Sequence, residues 1–452
     1  MITASIVKKS QLEGLHRIDA EYYQPKYKEN EEIIASCGYS VELLDMLIDK
    51  PVNGFDYRSF SDSGIPYIRV GDLLHGEVLY REAEKVQISI DNVGKDIKLR
   101  YGDIIFSRKG TFGRAAVVEE EFTDIIISSE IMRLRIKNEK VNPYYLSTFL
   151  NSRFGFYQVE RRTHGVSNYS ITQKDLTEIK VPILPRAIQA EVSELVKESH
   201  LEYERSYQFY LKAEQMLLAE LGLDNFDFSQ PNYYSVPLNQ AKELNRVDAE
   251  HFQPKYDKLM QHLSNIGKTK TLGEFAFYIK RGLQPTYLED REIIVVNSQH
   301  LGRYILNIEG TKRTDYNFWE TNKRAHLEKD DVLVYSTGAY VGRTNVWLED
   351  RKGIASNHVT IIRKLRDCNP LYLSVYLNAL PGLLQAEKWS TGSGQRELYP
   401  GAIANFFIYL PSKKSQTKIA NFVIQSYETR KRAKSFLKEA KKKVEEMIEK
   451  GS

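Results

Sequence analysis

The chain has 452 residues, 42% of them hydrophobic and 27% charged, with a formal net charge of +4, the balance of a globular protein with room for about two to four domains. No run approaches the roughly 18 consecutive apolar residues of a membrane span. Lys8 and Lys9 have no apolar stretch behind them and Cys37 and Cys368 stand in no Cys-x-x-Cys pair, so a signal peptide, a disulfide scaffold and a zinc cluster are all unexpected and the cytoplasm is the default compartment.

In chain order, Arg17-Ile-Asp-Ala-Glu-Tyr-Tyr-Gln-Pro-Lys-Tyr27 comes first. Short β-branched and aromatic runs between Gly-containing loops then predict strands at Ile65 to Val70, Asp103 to Phe106, Ala115 to Val118, Ile125 to Ile127 and Ile131 to Ile136. Asn142-Pro143 predicts a helix start, with Asn as the cap and Pro at the first helical position. After Leu184-Pro185 a long helix is expected, with Gly222 at its exit. Val192, Val196, Ser199, Tyr203, Ser206, Tyr210, Ala213 and Leu217 repeat at alternating spacings of four and three, broken at Glu220, which is a heptad seam.

Beyond residue 222 the chain repeats itself. Arg246-Val-Asp-Ala-Glu-His-Phe-Gln-Pro-Lys-Tyr256 returns 229 residues after the first copy. Asp103-Ile-Ile-Phe-Ser-Arg-Lys-Gly110, with Gly113-Arg114, returns as Asp331-Val-Leu-Val-Tyr-Ser-Thr-Gly338, with Gly342-Arg343. Asn142 to Asn151 returns as Asn369 to Asn378. Strands are predicted at Ile293 to Val296, Val332 to Tyr335 and Val359 to Ile362, and a second helix after Leu410-Pro411. Its seam is Ile419, Val423, Ser426, Arg430, Ala433, Leu437, Ala440, Val444 and Met447, in the register of the first. Two equal heptad helices in one chain can pair and bury both seams; the alternative is two amphipathic helices that each pack on their own domain. The expectation is an α+β fold with two tandem pseudo-symmetric domains joined by a long antiparallel helical pair, coiled-coil-like. Its boundaries are 1–185, 186–222, 223–411 and 412–452.

The ordered combination of these features resembles the specificity subunits of type I restriction-modification systems, over essentially the full length. The resemblance rests on the duplication, on Asp103 to Arg114, and on the ending Ile171, Leu176, Ile179, Val181-Pro182, Leu184-Pro185, Gln189 before a long helix. Leu398, Ile403, Phe406, Leu410-Pro411 and Gln416 match that ending in the second half. The second copy departs at Tyr335-Ser336-Thr337-Gly338, where the serine is shifted by one, and at Ser412. The resemblance implies two target-recognition domains, each reading half of a bipartite site in double-stranded DNA. It also implies helices that set the spacer and dock two methyltransferase subunits, and a restriction and translocase partner. S-adenosylmethionine, ATP and Mg would then be bound by those partners and not by this chain.

An amino-methyltransferase needs Asn/Asp-Pro-Pro-aromatic to hold a flipped base, and Asn142-Pro143-Tyr144-Tyr145 lacks the second proline. No Gly-x-x-x-x-Gly-Lys-Ser/Thr loop is present. The chain therefore reads as non-catalytic, with no catalytic, cofactor or metal residues assigned. Alternatives are a free-standing bipartite DNA-binding regulator and a methyltransferase with a divergent site. Arg reads guanine, Asn and Gln read adenine, and Lys and Arg hold phosphates. On that basis the DNA-contact candidates in the first half are Arg58, Arg69, Arg108, Lys109, Arg161, Arg162 and His164. In the second half they are Lys280, Arg281, Gln284, Asn297, Gln299, His300, Arg303, Gln395 and Arg396. Each also suits a solvated surface. Arg114 and Arg343 recur in both halves, so they suit the fold or the DNA backbone better than base choice.

Overall fold

The computed structural model describes residues 8, 18–61, 63–89, 93–94, 96–119, 122–165, 169–224, 226–227, 229, 231–288, 291–392 and 394–451. Lys9 and Arg17 lie outside the described residues. The chain forms two compact units, one of Met1–Glu204 with Thr429–Ser452 and one of Arg205–Glu428.

The first unit is built on a four-stranded antiparallel sheet in the order Val52–Asn53, Ile131–Leu134, Ile104–Ser107, Ala115–Val117. Its middle strands are buried throughout because both faces are covered, and all their residues but Arg133 and Ser107 are apolar. Ile104, Phe106 and Met132 face the helices Pro143–Asn151 and Arg153–Arg162. Ile105, Ala116 and Ile131 face a second sheet, the alternation that a pleated strand imposes. In that second sheet Ile65–Ile68 runs parallel to Ile126–Ile127.

The second unit repeats this topology. Ala276–Arg281, Val359–Leu365, Val332–Tyr335 and Thr344–Val346 form its main sheet. Ile293–Val296 runs parallel to Gly353–Ala355 beside it. A two-stranded ribbon closes each unit, Val41–Leu43 on Lys180–Pro182 and Thr269–Thr271 on Phe407–Tyr409.

Residues that recur in the sequence recur in the same structural work. Asp103 takes two hydrogen bonds from the Arg135 guanidinium, at 2.7 Å each. Asp331 takes the same two from Arg363, at 2.8 and 2.6 Å. Asn142 and Asn369 cap their helices, accepting from Tyr145 N–H at 2.7 Å and from Leu371 N–H at 2.9 Å. Tyr145 and Tyr372 are buried and donate to the carbonyls of Pro182 and Tyr409, so neither ring is placed to stack on a base. Asn151 clamps both backbone groups of Ala115, at 3.0 and 2.7 Å, and Asn378 does the same for Thr344. Gln189 and Gln416 accept from the N–H groups of Asn142 and Asn369, at 2.9 and 2.8 Å, which ties each cap to the start of a long helix.

Those helices are Arg186–Leu221 and Lys413–Lys450. They pack against each other within each unit, antiparallel, along the heptad positions. In the first unit Val192 and Val196 share a core with Ala440 and Val444, and the Ser199 hydroxyl donates to Ala433 O at 2.9 Å. In the second, Tyr210, Ala213 and Leu217 share a core with Ile419, and Ser206 donates to Ser426 O at 2.8 Å. Glu220, where the heptad pattern breaks, is exposed.

Candidate nucleic-acid interface

In the first unit a cleft of about 310 Å³ opens where three loops converge beyond the sheet edges, lined by Arg58, Phe60, Tyr67, Arg69, Arg108, Lys109, Ser128 and Glu130 among others. The main chain at Gly54 makes the cleft floor possible. A Cβ there would stand 2.1 Å from Ile127 O, closer than any side chain tolerates. Phe55 N–H instead reaches Ile127 O at 2.9 Å. Tyr67 holds the loop above it, donating to Phe55 O at 2.7 Å and accepting from Tyr57 N–H at 3.1 Å. Arg69 stacks over the Phe60 ring at 5.3 Å and lies near Asp72 and Glu84. Arg58 is almost fully exposed, its side chain at 88%. Arg108 donates from Nη1 to Ser129 O at 3.2 Å. Lys109 is bridged to Ser170, and Ser170 to His164, so His164 neighbours the rim. Its Nε2 lies 3.1 Å from Asp175.

The second unit has the same loops with other side chains. Gly282 sits as tightly, 2.0 Å from Ala355 O to a Cβ, and Leu283 N–H reaches that carbonyl at 3.0 Å. Strand register equates Ile68 with Val296 and Ser107 with Tyr335. Arg69 therefore corresponds to Asn297, Arg108 to Ser336 and Lys109 to Thr337, and the matching bridges to Glu397 agree. Asn297 accepts from Tyr287 OH at 3.2 Å. Arg281 lies over Tyr399 at 4.7 Å and near Glu397 at 3.6 Å. Arg396 is exposed and its carbonyl accepts from Gly338 N–H at 3.0 Å; Gln395, Gln299 and Lys280 are exposed as well. Gln284 donates to Pro285 O.

Other candidates are engaged in holding the fold. Arg161 is buried, over the Tyr22 ring at 4.0 Å and paired with Glu31 at 2.7 Å. Arg162 is buried and donates to Gln158 O at 3.2 Å. Arg114 donates to Leu73 O at 2.9 Å. Arg343 stacks on Tyr340 at 3.7 Å, and Arg303 pairs with Glu214 at 2.8 Å. His300 is buried in a 3-10 turn, where its Nδ1 accepts from Asn297 N–H at 2.9 Å. Burial pushes the imidazole down to about 4, so it stays neutral and can accept. Asp72 fills the same place in the first unit, taking Arg69 N–H at 2.9 Å. Burial raises its carboxyl to about 6, against the pull of that N–H and of the Arg69 charge. Reading from cations outward overlooked Ser128 and Glu130. Their only sequence signal is a Ser-Ser-Glu turn between two β-branched runs.

Residues 55–198 and 268–438 match the family described as Type I restriction modification DNA specificity domain. The two stretches make up more than half of the chain, and the chain belongs to that family. The Type I restriction enzyme EcoBI specificity subunit of Escherichia coli is 28% identical over 120 residues, 26% of this chain and 25% of the relative, so the alignment spans about a quarter of that protein's length. Among solved structures, the S subunit of a type I restriction-modification system from M. genitalium is similar at 12% identity and a TM-score of 0.39, covering 92% of this chain and 96% of that one. The HsdS subunit from Thermoanaerobacter tengcongensis gives 17% identity and a TM-score of 0.29, with 92% and 96% covered.

Proposed function

We propose that this chain reads DNA sequence for a type I restriction-modification complex in the cytoplasm, each unit recognising one half of a bipartite target in double-stranded DNA. The observation that carries the reading is the loop scaffold present twice, which in the first unit surrounds the cleft. The scaffold residues repeat, Gly54 with Gly282 and Asp103 with Asp331. The lining residues Arg69 and Arg108 give way to Asn297 and Ser336. Constant walls with variable linings suit two readers of different sequences. The chain itself performs no reaction. Methyl transfer and cleavage belong to partner subunits that bring S-adenosylmethionine, ATP and Mg. The paired helices set the spacer, and their duplicated outer surface offers two equivalent sites for methyltransferase subunits.

The test is an exchange of residues 1–185 for the corresponding segment of a relative, followed by mapping of methylated sites in cells that hold the partner subunits. One half of the target should change and the other stay. A change in both halves together would show that the units are not independent readers. The purified chain alone, given labelled S-adenosylmethionine and mixed DNA, should transfer no methyl group.

A further inference from the structure

Arg108 lies one residue past the strand Ile104–Ser107, and its N–H donates to Glu130 O at 2.9 Å, one step beyond the Ser107–Ile131 pair. Residues opposite each other on an antiparallel ladder send their side chains out on the same face, and both of these line the cleft. Among the described residues no ion pair joins them. Arg108 is anchored through Nη1 to Ser129 O and its Nε is buried, so Nη2 and the second hydrogen of Nη1 are the pair of donors it can turn to a ligand. In the second unit the same two places hold Ser336 and His358, linked by the same backbone bond at 2.9 Å. The scaffold therefore does not require a cation beside a carboxylate there.

A carboxylate is the wrong charge for a surface that only neutralises phosphates. It is the right group for a base edge that donates. In the major groove a G·C pair presents two adjacent acceptors, guanine N7 and O6, beside one donor, cytosine N4. An A·T pair never places two acceptors side by side on its purine. An arginine fork next to a carboxylate complements the first pattern and not the second. Resting on the DNA-reading proposal above, we infer that Arg108 and Glu130 together read one G·C base pair in the half-site of the first unit.

The experiment selects duplexes from a randomised pool with the full-length chain assembled with its methyltransferase partners and sequences them, for wild type, Arg108→Ser, Arg108→Lys and Glu130→Ala. Serine is the residue that the second unit already carries at this place, and the second half-site reports whether each variant is folded. Wild type should hold an invariant G·C pair in one half-site. Arg108→Ser should relax that pair by roughly 5- to 150-fold, the span of one bidentate contact, with the other half-site unchanged. Arg108→Lys keeps the charge but loses the fork, and should relax the same pair at nearly constant total affinity. Glu130→Ala should relax it too, while binding to unselected duplex tightens because a negative charge is gone. Selection by all three variants identical to wild type overturns the inference and leaves the DNA reading standing. So does an effect on an A·T pair, or effects of Arg108 and Glu130 on different pairs. Loss of both half-sites by Arg108→Ser argues for a structural role and also overturns it. A wild-type chain that selects no sequence overturns the DNA reading itself.

Discussion

At the scale of single residues, Asp72 and His300 do one job with opposite titration. Each is buried and accepts the N–H three residues before it, closing the turn that carries Arg69 at the cleft or Asn297 at the equivalent place in the second unit. Burial lowers His300 from 6.5 to about 4, so the unfolded chain binds the extra proton first. The stability from the neutral ring is complete above about pH 6.5 and is lost as pH falls toward 4. From pH 7 to pH 5 the loss amounts to about 2 kcal/mol. Asp72, raised from 3.8 to about 6, behaves in reverse. Its contribution is complete below about pH 4 and fades as pH rises through 6. All three tryptophans, Trp319, Trp347 and Trp389, lie in the second unit, so their fluorescence follows that unit's denaturation alone. Asp331, raised to about 6, and His251, lowered by burial, titrate in the same unit, so the reading is the difference between proteins. The pH 7 to pH 5 change in the second unit's stability should be less favourable in wild type than in His300→Asn by about 2 kcal/mol. An equal slope in the variant would place the titration elsewhere.

At the scale of elements, the helical seam is not uniformly apolar. Ser199, Ser206, Ser426 and Ala433 are buried, and the serine hydroxyls return their hydrogen bonds to backbone carbonyls across the seam. Small residues let the two backbones come close, so a larger apolar side chain overfills the gap. Ser206→Leu should destabilise by about 1–3 kcal/mol, and Ser206→Ala by about 1 kcal/mol for the lost hydrogen bond, read by denaturation of the second unit. A leucine variant as stable as wild type would mean the seam is looser than its contacts imply. The helices were legible in the sequence because heptads and Asn-Pro caps are local signals. The main strands were legible because they are buried on both faces. The edge strands Val52–Asn53 and Ala276–Arg281 were not, since their residues are largely half-exposed and show no clean alternation. The first unit's cleft was half legible. Arg58, Arg69, Arg108 and Lys109 stood out by residue type and loop position, and the structure draws them together. Arg161 looked the same in sequence, but its burial depends on Tyr22 and Glu31, more than a hundred residues earlier, and no local pattern announces that.

At the scale of the whole molecule, the two long helices each contribute residues to both units, which makes their length the natural ruler for the proposed spacer. The central helix has 36 residues, so it runs roughly 54 Å at 1.5 Å per residue. Removing one heptad from one helix alone would misalign the seam. Removing Ser199 to Arg205 together with Ser426 to Arg432 preserves it, because Ser206 then takes the place of Ser199 opposite Ala433. The ion pair of Arg432 with Glu202 leaves as a unit, whereas Glu77, Glu119 and Arg81 lose Arg430, His200 and Glu204, so the double deletion folds with a stability cost at the buried Glu77. The seam shortens by about 10 Å, which on B-DNA at 3.4 Å per base pair is about three base pairs at most. Any tilt of the helices against the DNA axis would reduce that figure, and a changed groove phase would weaken binding. With partner subunits present, methylated-site mapping of the double deletion should therefore return both half-sites unaltered and a shorter spacer between them. A spacer of the original length, with both half-sites still read, would assign the distance to some other part of the complex.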